Sequence, residues 1–232
     1  MPRRARALFL LTILGAVPVG AGAQAGLFAR HAVGVADVHG SSRPMTVTAP
    51  DDRTRAIARF TGGKTADDDG HLTVFLGGDD HHFAGGPNAE LLWAPDSRAI
   101  AVTADDGGAT GSFELSILVR KAKGRHWRQV ALSKRVATLF APEMRCDDEE
   151  VPNVGAVGWK SAQRLIVAAQ VPPHSRCRAI GHVAAYVVDV KSGEVLMEID
   201  PQTLHRRYRR MLGTVFTTHS GHQHRHGGGR AR

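Results

Sequence analysis

Residues Leu92–Gly108 read LWAPDSRAIAVTADDGG: a tryptophan, a Pro-Asp turn, a short apolar run and an acidic glycine-rich loop. Pro95 presets φ at the second position of a type I turn, and Asp96 can accept a hydrogen bond from its own downstream backbone. The run that follows, Ala99–Thr103, is apolar at nearly every position. A half-exposed strand alternates apolar with polar residues, so this one is predicted to be covered on both faces.

The pattern recurs. Val157–Gln170, VGWKSAQRLIVAAQ, sets Trp159, Arg164 and Ile166 at the offsets of Trp93, Arg98 and Ile100. Each segment leads into a longer strand (FELSILVR or HVAAYVVDV), a glycine turn (Gly124 or Gly193) and a last strand (HWRQVAL or EVLMEI). A fainter copy runs from APDDRTRAIARF at Ala49 to HLTVFL at His71. The units span about residues 88–135 and 154–200, with the faint one at about 45–80. Four-strand units repeating at this length are the signature of propeller blades. The expectation is a mainly β chain of antiparallel four-stranded blade-like sheets, a small or incomplete propeller, with a β-sandwich as the alternative.

The segment WAPDSRAIAV resembles the blade motif W-x-P-D-x-x-x-[IL]-A of TolB-like, WD40-like bacterial propellers. YVVDVKSGEVL resembles the end of such a blade, where an Asp precedes a K-x-G turn. The likeness covers about 110 residues in two pieces, and in the second Lys160, Ser161 and Ala162 replace the usual Pro-Asp. It implies a binding platform, although fold alone does not assign activity. A closed ring needs at least four blades and three units are visible. The twenty-odd residues KRVATLFAPEMRCDDEEVPN between the clear units, and a C-terminal helix, are available to cover the edges that an open set would leave.

Ahead of the units, Arg3, Arg4 and Arg6 precede a short apolar core from Ala7 to Val19, and Ala21, Ala23 and Ala25 fit an A-x-A cleavage pattern. The core is shorter than the ~20 residues that span a bilayer. Residues 1–25 therefore read as a cleavable signal peptide, residues 26–200 as the β domain, and the destination as the periplasm or beyond. No later segment reads as a membrane span. In an oxidising compartment the two cysteines, Cys146 and Cys177, are expected to be bridged. Closing a loop of about thirty residues would stabilise the fold by roughly 3 kcal/mol.

Charge is divided unevenly. Residues 26–200 hold 20 basic and 22 acidic residues, whereas 201–232 hold seven arginines and no acid. PQTLHRRYRRMLG, residues 201–213, reads as a short amphipathic helix with Pro at its start, Gly213 as its stop, and Leu204, Tyr208, Met211 and Leu212 on one face. Arg206, Arg207, Arg209 and Arg210 on that segment are candidates for contact with an anionic envelope surface or an acidic partner; nucleic acid is not expected in that compartment. Residues 214–232 are polar and glycine-rich and read as a disordered tail.

The tail carries His219, His222, His224 and His226, which could bind Zn²⁺, Ni²⁺ or Cu²⁺ weakly. GGDDHHFAGG adds Asp79, Asp80, His81 and His82. It reads as a solvated hairpin loop, with His81 and His82 as candidate metal donors only if it kinks, because neighbours on a strand point to opposite faces. The acidic loops at Asp67–Asp69 and Asp105–Asp106 lack the spacing and distal Glu of an EF-hand and read as strand connections. No G-x-S-x-G, H-E-x-x-H or phosphate-cradling glycine loop is present, so no catalytic residue is assigned. The leading expectation is a non-enzymatic exported protein that binds an envelope partner, ahead of a metal-binding role for the histidines and a small hydrolase with a site on a loop.

Overall fold

The computed structural model describes residues 26–36, 43–61, 70–85, 88–105, 112–122 and 125–216. Three antiparallel sheets follow one another along the chain. The first is β2 (Met45–Thr48), β3 (Arg55–Thr61), β4 (His71–Leu76) and β5 (Asp79–Ala84). The second is β6 (Asn88–Trp93), β7 (Ala99–Asp105), β8 (Phe113–Arg120) and β9 (Trp127–Ala131), joined at its β6 edge by β1 (Val33–Ala36). The third is β10 (Asn153–Ser161), β11 (Arg164–Gln170), β12 (Val183–Asp189) and β13 (Val195–Ile199). All three are up-and-down meanders, mainly β as expected, and they stack in series rather than as the two layers of a sandwich. No closed ring is formed among the described residues.

Identical turn chemistry in the first two units explains why their sequences echo. Ser97 N–H donates to the Ala94 carbonyl and Arg98 N–H to Asp96 Oδ1; in the first unit Asp52 N–H donates to Ala49 and Arg53 N–H to Asp51 Oδ1. Ser97 and Asp52 both adopt the left-handed conformation, at φ 60° and 57°. The Ser97 hydroxyl also accepts from the Asp51 N–H at 2.9 Å, tying one turn to the other. The unit that looked faint in sequence thus has the same turn as the clear one.

The repeated tryptophan works between units. Trp93 Nε1–H donates to the Val47 carbonyl on the first strand of the preceding sheet, and Trp159 Nε1–H donates to Leu92 on the first strand of the sheet before it, both at 3.2 Å. Thr48 stands where the first unit would carry its tryptophan, and that unit has no described sheet behind it to reach.

The middle sheet is covered on both faces, as the run at Ala99–Thr103 predicts: β7 is buried at its first six positions. Leu91, Ile100, Val102, Ala104 and Leu118 meet the first sheet through Val47, Ala56, Ala58, Leu72 and Val74. Ala99, Ala101, Leu115, Ile117 and Val119 meet the third through Val154, Ala156, Leu165 and Val167. The segment between the clear units, whose sequence shows no repeat of the blade pattern, forms a helix, α1 (Ser133–Met144). Its Val136, Phe140 and Met144 enter the core between the second and third sheets, four residues apart on one helical face.

The basic segment forms a helix only over α2 (Pro201–Tyr208), started by Asp200, whose side chain accepts from the Thr203 N–H at 2.9 Å. It stops short of Gly213 because residues 211–215 turn to pair with residues 26–30: Arg30 N–H donates to Met211, Gly213 to Phe28, Thr214 to Gly26 and Val215 to Leu27. Gly213 is not a helix stop but a place where two backbones touch, since a Cβ there would collide with the Gly26 and Leu27 carbonyls. Phe28, Leu204, Leu212 and Phe216 together cover the far face of the third sheet.

Candidate functional site

The two cysteines are bridged, across a sequence separation of 31. The bond joins the end of α1 to the loop after β11, beside a polar group in which the Glu143 carboxylate pairs with His182 Nε2 at 2.7 Å and accepts from the Tyr186 hydroxyl at 3.4 Å. Phe140 stacks on the His182 ring. Burial first, and then the Glu143 charge, push the Tyr186 phenol up from its ordinary value. A carboxylate orienting an imidazole is half of a nucleophilic triad. No serine, threonine or cysteine side chain is hydrogen-bonded to that imidazole among the described residues, so the group closes α1 onto the third sheet and completes no such triad.

His81 and His82 lie on a strand, not in the solvated loop expected of GGDDHHFAGG. The turn is only Gly77–Gly78, at φ 66° and 92°, and a two-residue turn with both central φ positive hands the chain straight into β5. Strand alternation then separates the two imidazoles. His81 is buried, with Nε2 lacking a hydrogen-bond partner, and burial pushes its pKa down. His82 faces outward, with Nδ1 3.1 Å from the Thr73 hydroxyl and its ring 6.1 Å from that of His71, while His71 Nε2 lies 2.6 Å from the Thr61 hydroxyl. Two outward imidazoles form no closed donor set, and among the described residues no group of three or more His, Cys, Asp or Glu could hold a metal. His219, His222, His224 and His226 lie outside the described residues, as do Asp67–Asp69 and Asp106.

Arg206, Arg207, Arg209 and Arg210 are all exposed, and none is in an ion pair among the described residues. Arg206 and Arg209 share an open hollow of about 530 Å³ with Gln202 and His205; Arg207 and Arg210 do not line it. The hollow is shallow and basic, suited to a surface anion rather than an enclosed ligand.

The feature that sequence reading missed is the outer edge of the stack. The edge strands β5 and β9 each reach forward to the following unit. Asp79 on β5 accepts from the Trp127 N–H at 2.8 Å and pairs with His126 at 2.9 Å. Arg128 on β9 donates to the Lys191 carbonyl at 2.7 Å. These bonds hold the Asp79 carboxyl below the usual range, His126 first among the causes. The last edge strand, β13, has no sheet following it among the described residues. Its Leu196 and Met197 are exposed at 44% and 51%, and Leu139 on α1 at 50%. An open groove of about 440 Å³ runs beside the strand, lined by Lys134, Arg135, Thr138, Leu139, Glu194 and Val195. The signal was legible in EVLMEI, where Glu198 is the one charged residue within the strand itself, Val195–Ile199.

The geometry defines a class: three stacked four-strand meanders interlocked by tryptophans, with an unguarded apolar edge on the last. Comparison with protein families, with curated proteins and with solved structures finds no match for this chain.

Proposed function

We propose that this is an exported, non-enzymatic binding protein, acting in the periplasm or outside the cell, whose partner docks along β13 and the groove beside α1. One observation carries the reading: β13 is a sheet edge that pairs with β12 alone among the described residues, flanked by exposed Leu139, Leu196 and Met197. Soluble proteins guard such edges with charge or cover, because they template pairing with another chain. Here the edge strands β5 and β9 are held by polar side-chain contacts to the next unit, and β13 makes no such contact among the described residues. A partner adding an extended segment to β13 would gain backbone hydrogen bonds from the edge and side-chain contact from the groove. Lys134 and Arg135, the latter donating to the Ser192 carbonyl at 3.1 Å, outnumber Glu194 at the groove and favour an acidic segment.

The propeller-like resemblance, a scaffold type that presents binding surfaces, supports the same reading through the shared turns and interlocking tryptophans. Export is supported by the sequence of residues 1–25 and by the disulfide; no helix among the described residues is long and apolar enough to cross a membrane. The arginines around α2 would add contact with an anionic envelope component.

A photo-crosslinking residue placed at Leu139 or Met197, with Ile57 as the control, tests this in envelope extract. Capture of one protein from the first two positions and not the third supports docking at β13. Equal capture at all three, or none, overturns it. Replacing Arg206, Arg207, Arg209 and Arg210 with Gln then reports on the basic segment. Truncation at Asp200 would not serve, since it strips Leu204, Leu212 and Phe216 from the third sheet.

A further inference from the structure

Glu90 is the one buried acidic residue among those described, only 5% exposed. It lies on β6, and its carboxylate accepts from three consecutive backbone N–H groups: Leu27, Phe28 at 3.1 Å and Ala29 at 3.3 Å. Burial pushes its pKa up despite these bonds, and no salt bridge reaches the carboxylate among the described residues to offset the loss of water. Gly26 is itself buried against it. A Cβ at residue 26 would meet the Ala29 carbonyl and stand 2.6 Å from Glu90 Oε1, so only glycine fits. The Gly26 carbonyl is held from the other side by the Thr214 N–H at 2.9 Å. Its nitrogen, one bond from the same α-carbon, therefore lies within about 6 Å of the carboxylate.

Ala23-Gln24-Ala25 directly precedes this glycine and satisfies the A-x-A rule for leader cleavage. Hydrolysis of the Ala25–Gly26 peptide bond by a leader-cleaving protease adds water across it. Ala25 leaves as a carboxylate, and the Gly26 nitrogen becomes a primary amine that takes a proton from solvent. We infer that Glu90 is the receptor for the α-ammonium of Gly26, and that this ion pair, created by leader removal, locks residues 26–30, and with them the paired residues 211–215, over the third sheet. Before cleavage the same nitrogen is an uncharged amide and offers the buried carboxylate no counter-charge. After cleavage an opposite charge sits within the range that favours ionisation of both groups. Capture of an N-terminal amine by a prepared backbone and carboxylate nest is a recognised binding mode. The inference rests on the export reading above but not on the partner.

The first experiment is mass spectrometry of the N-terminus of protein recovered after export. A start at Gly26 is expected; a start elsewhere overturns the lock, and retention of residues 1–25 overturns export as well. The second uses chains beginning at Gly26, with the amine free or acetylated, each carrying Glu90 or Glu90→Gln. Acetylation is expected to raise the unfolding equilibrium constant at least tenfold with Glu90 and less than twofold with Gln, which also controls for the bulk of the acetyl group. Equal loss on both backgrounds overturns the lock while leaving export intact. Should Glu90→Gln fail to fold, the pH dependence of amine acylation in the unaltered mature chain decides. A paired ammonium titrates above the ordinary α-amino value, so its reaction rises only at higher pH than in the unfolded chain; identical profiles overturn the proposal.

Discussion

The first and third sheets are the same four-strand meander at opposite ends of one stack, yet their outer faces differ in kind. On β3 the pattern RAIARF alternates, with Arg55, Ile57 and Arg59 outward. On β11 the run LIVAAQ is buried throughout, its Ile166 and Ala168 turned toward the far face. What covers that face comes from neither sheet: Phe28 arrives from the N-terminal segment and Leu204, Leu212 and Phe216 from the C-terminal one. One meander therefore serves as either an end or a middle layer, and the residue type on alternate positions decides which.

The strongest way to break this comparison is Phe28→Ala. Phe28 is 1% exposed, and a Cβ at Gly155 would enter its ring, so the loss is expected to be about 3–5 kcal/mol by denaturant unfolding. Ile57→Ala on the open face is expected to cost no more than about 0.5–1 kcal/mol. Similar values for both would mean that the first sheet is also covered in solution.

Reduction of Cys146–Cys177 comes next, at roughly 3 kcal/mol for a loop of this length. Melting with and without reductant measures it, and an unchanged midpoint would show that α1 holds to the third sheet without the clip.

The interlocks can be compared directly. Trp93→Phe and Trp159→Phe each keep an aromatic ring but lose the indole hydrogen bond to a carbonyl of the preceding sheet. Equivalent losses of about 1–2 kcal/mol are expected, and Thr48→Trp should gain nothing. A marked inequality would mean that the two sheet junctions are not equivalent.

The smallest effect is a pH dependence at the first junction. Burial holds the His81 pKa below its ordinary value, against the attraction of Asp79 and Asp80. The folded state thus binds fewer protons than the unfolded one. Its contribution is fully present above the unfolded value of about 6.5 and is lost as pH falls through that value toward the lower folded one. His81→Phe should flatten stability across that window, and an unchanged slope would assign it to another group.

The three units were legible in the sequence because their signals are local. Asp96 and Asp51 bond amides two residues away, Asp189 bonds Lys191 and Ser192 ahead of Gly193 at φ 70°, and strand periodicity needs only neighbouring positions. GGDDHHFAGG is misleading because its paired glycines look like the flanks of a loop, whereas the first pair is the whole turn. The α1 segment was missed because its apolar residues sit between an unremarkable start, with no capping side chain, and an internal Pro142. The β13 edge is apolar in sequence, but an apolar strand is dangerous only if no neighbour follows it, and pairing is not a local property.

The sequence by itself determined the turns, the strand spacing, the cysteine pair as a candidate bridge and the two tryptophans in register. Each follows from φ preferences, short-range hydrogen bonds or composition. Only the tertiary structure decided that the tryptophans reach back one sheet, that residues 26–30 and 211–215 pair over the third sheet, and that Glu90 meets Phe28 from 62 positions away. The physical reason is that coverage of a sheet face is chosen by competition among all apolar surfaces of the folded chain. Period and propensity tell a face that it must be covered, and leave open what covers it.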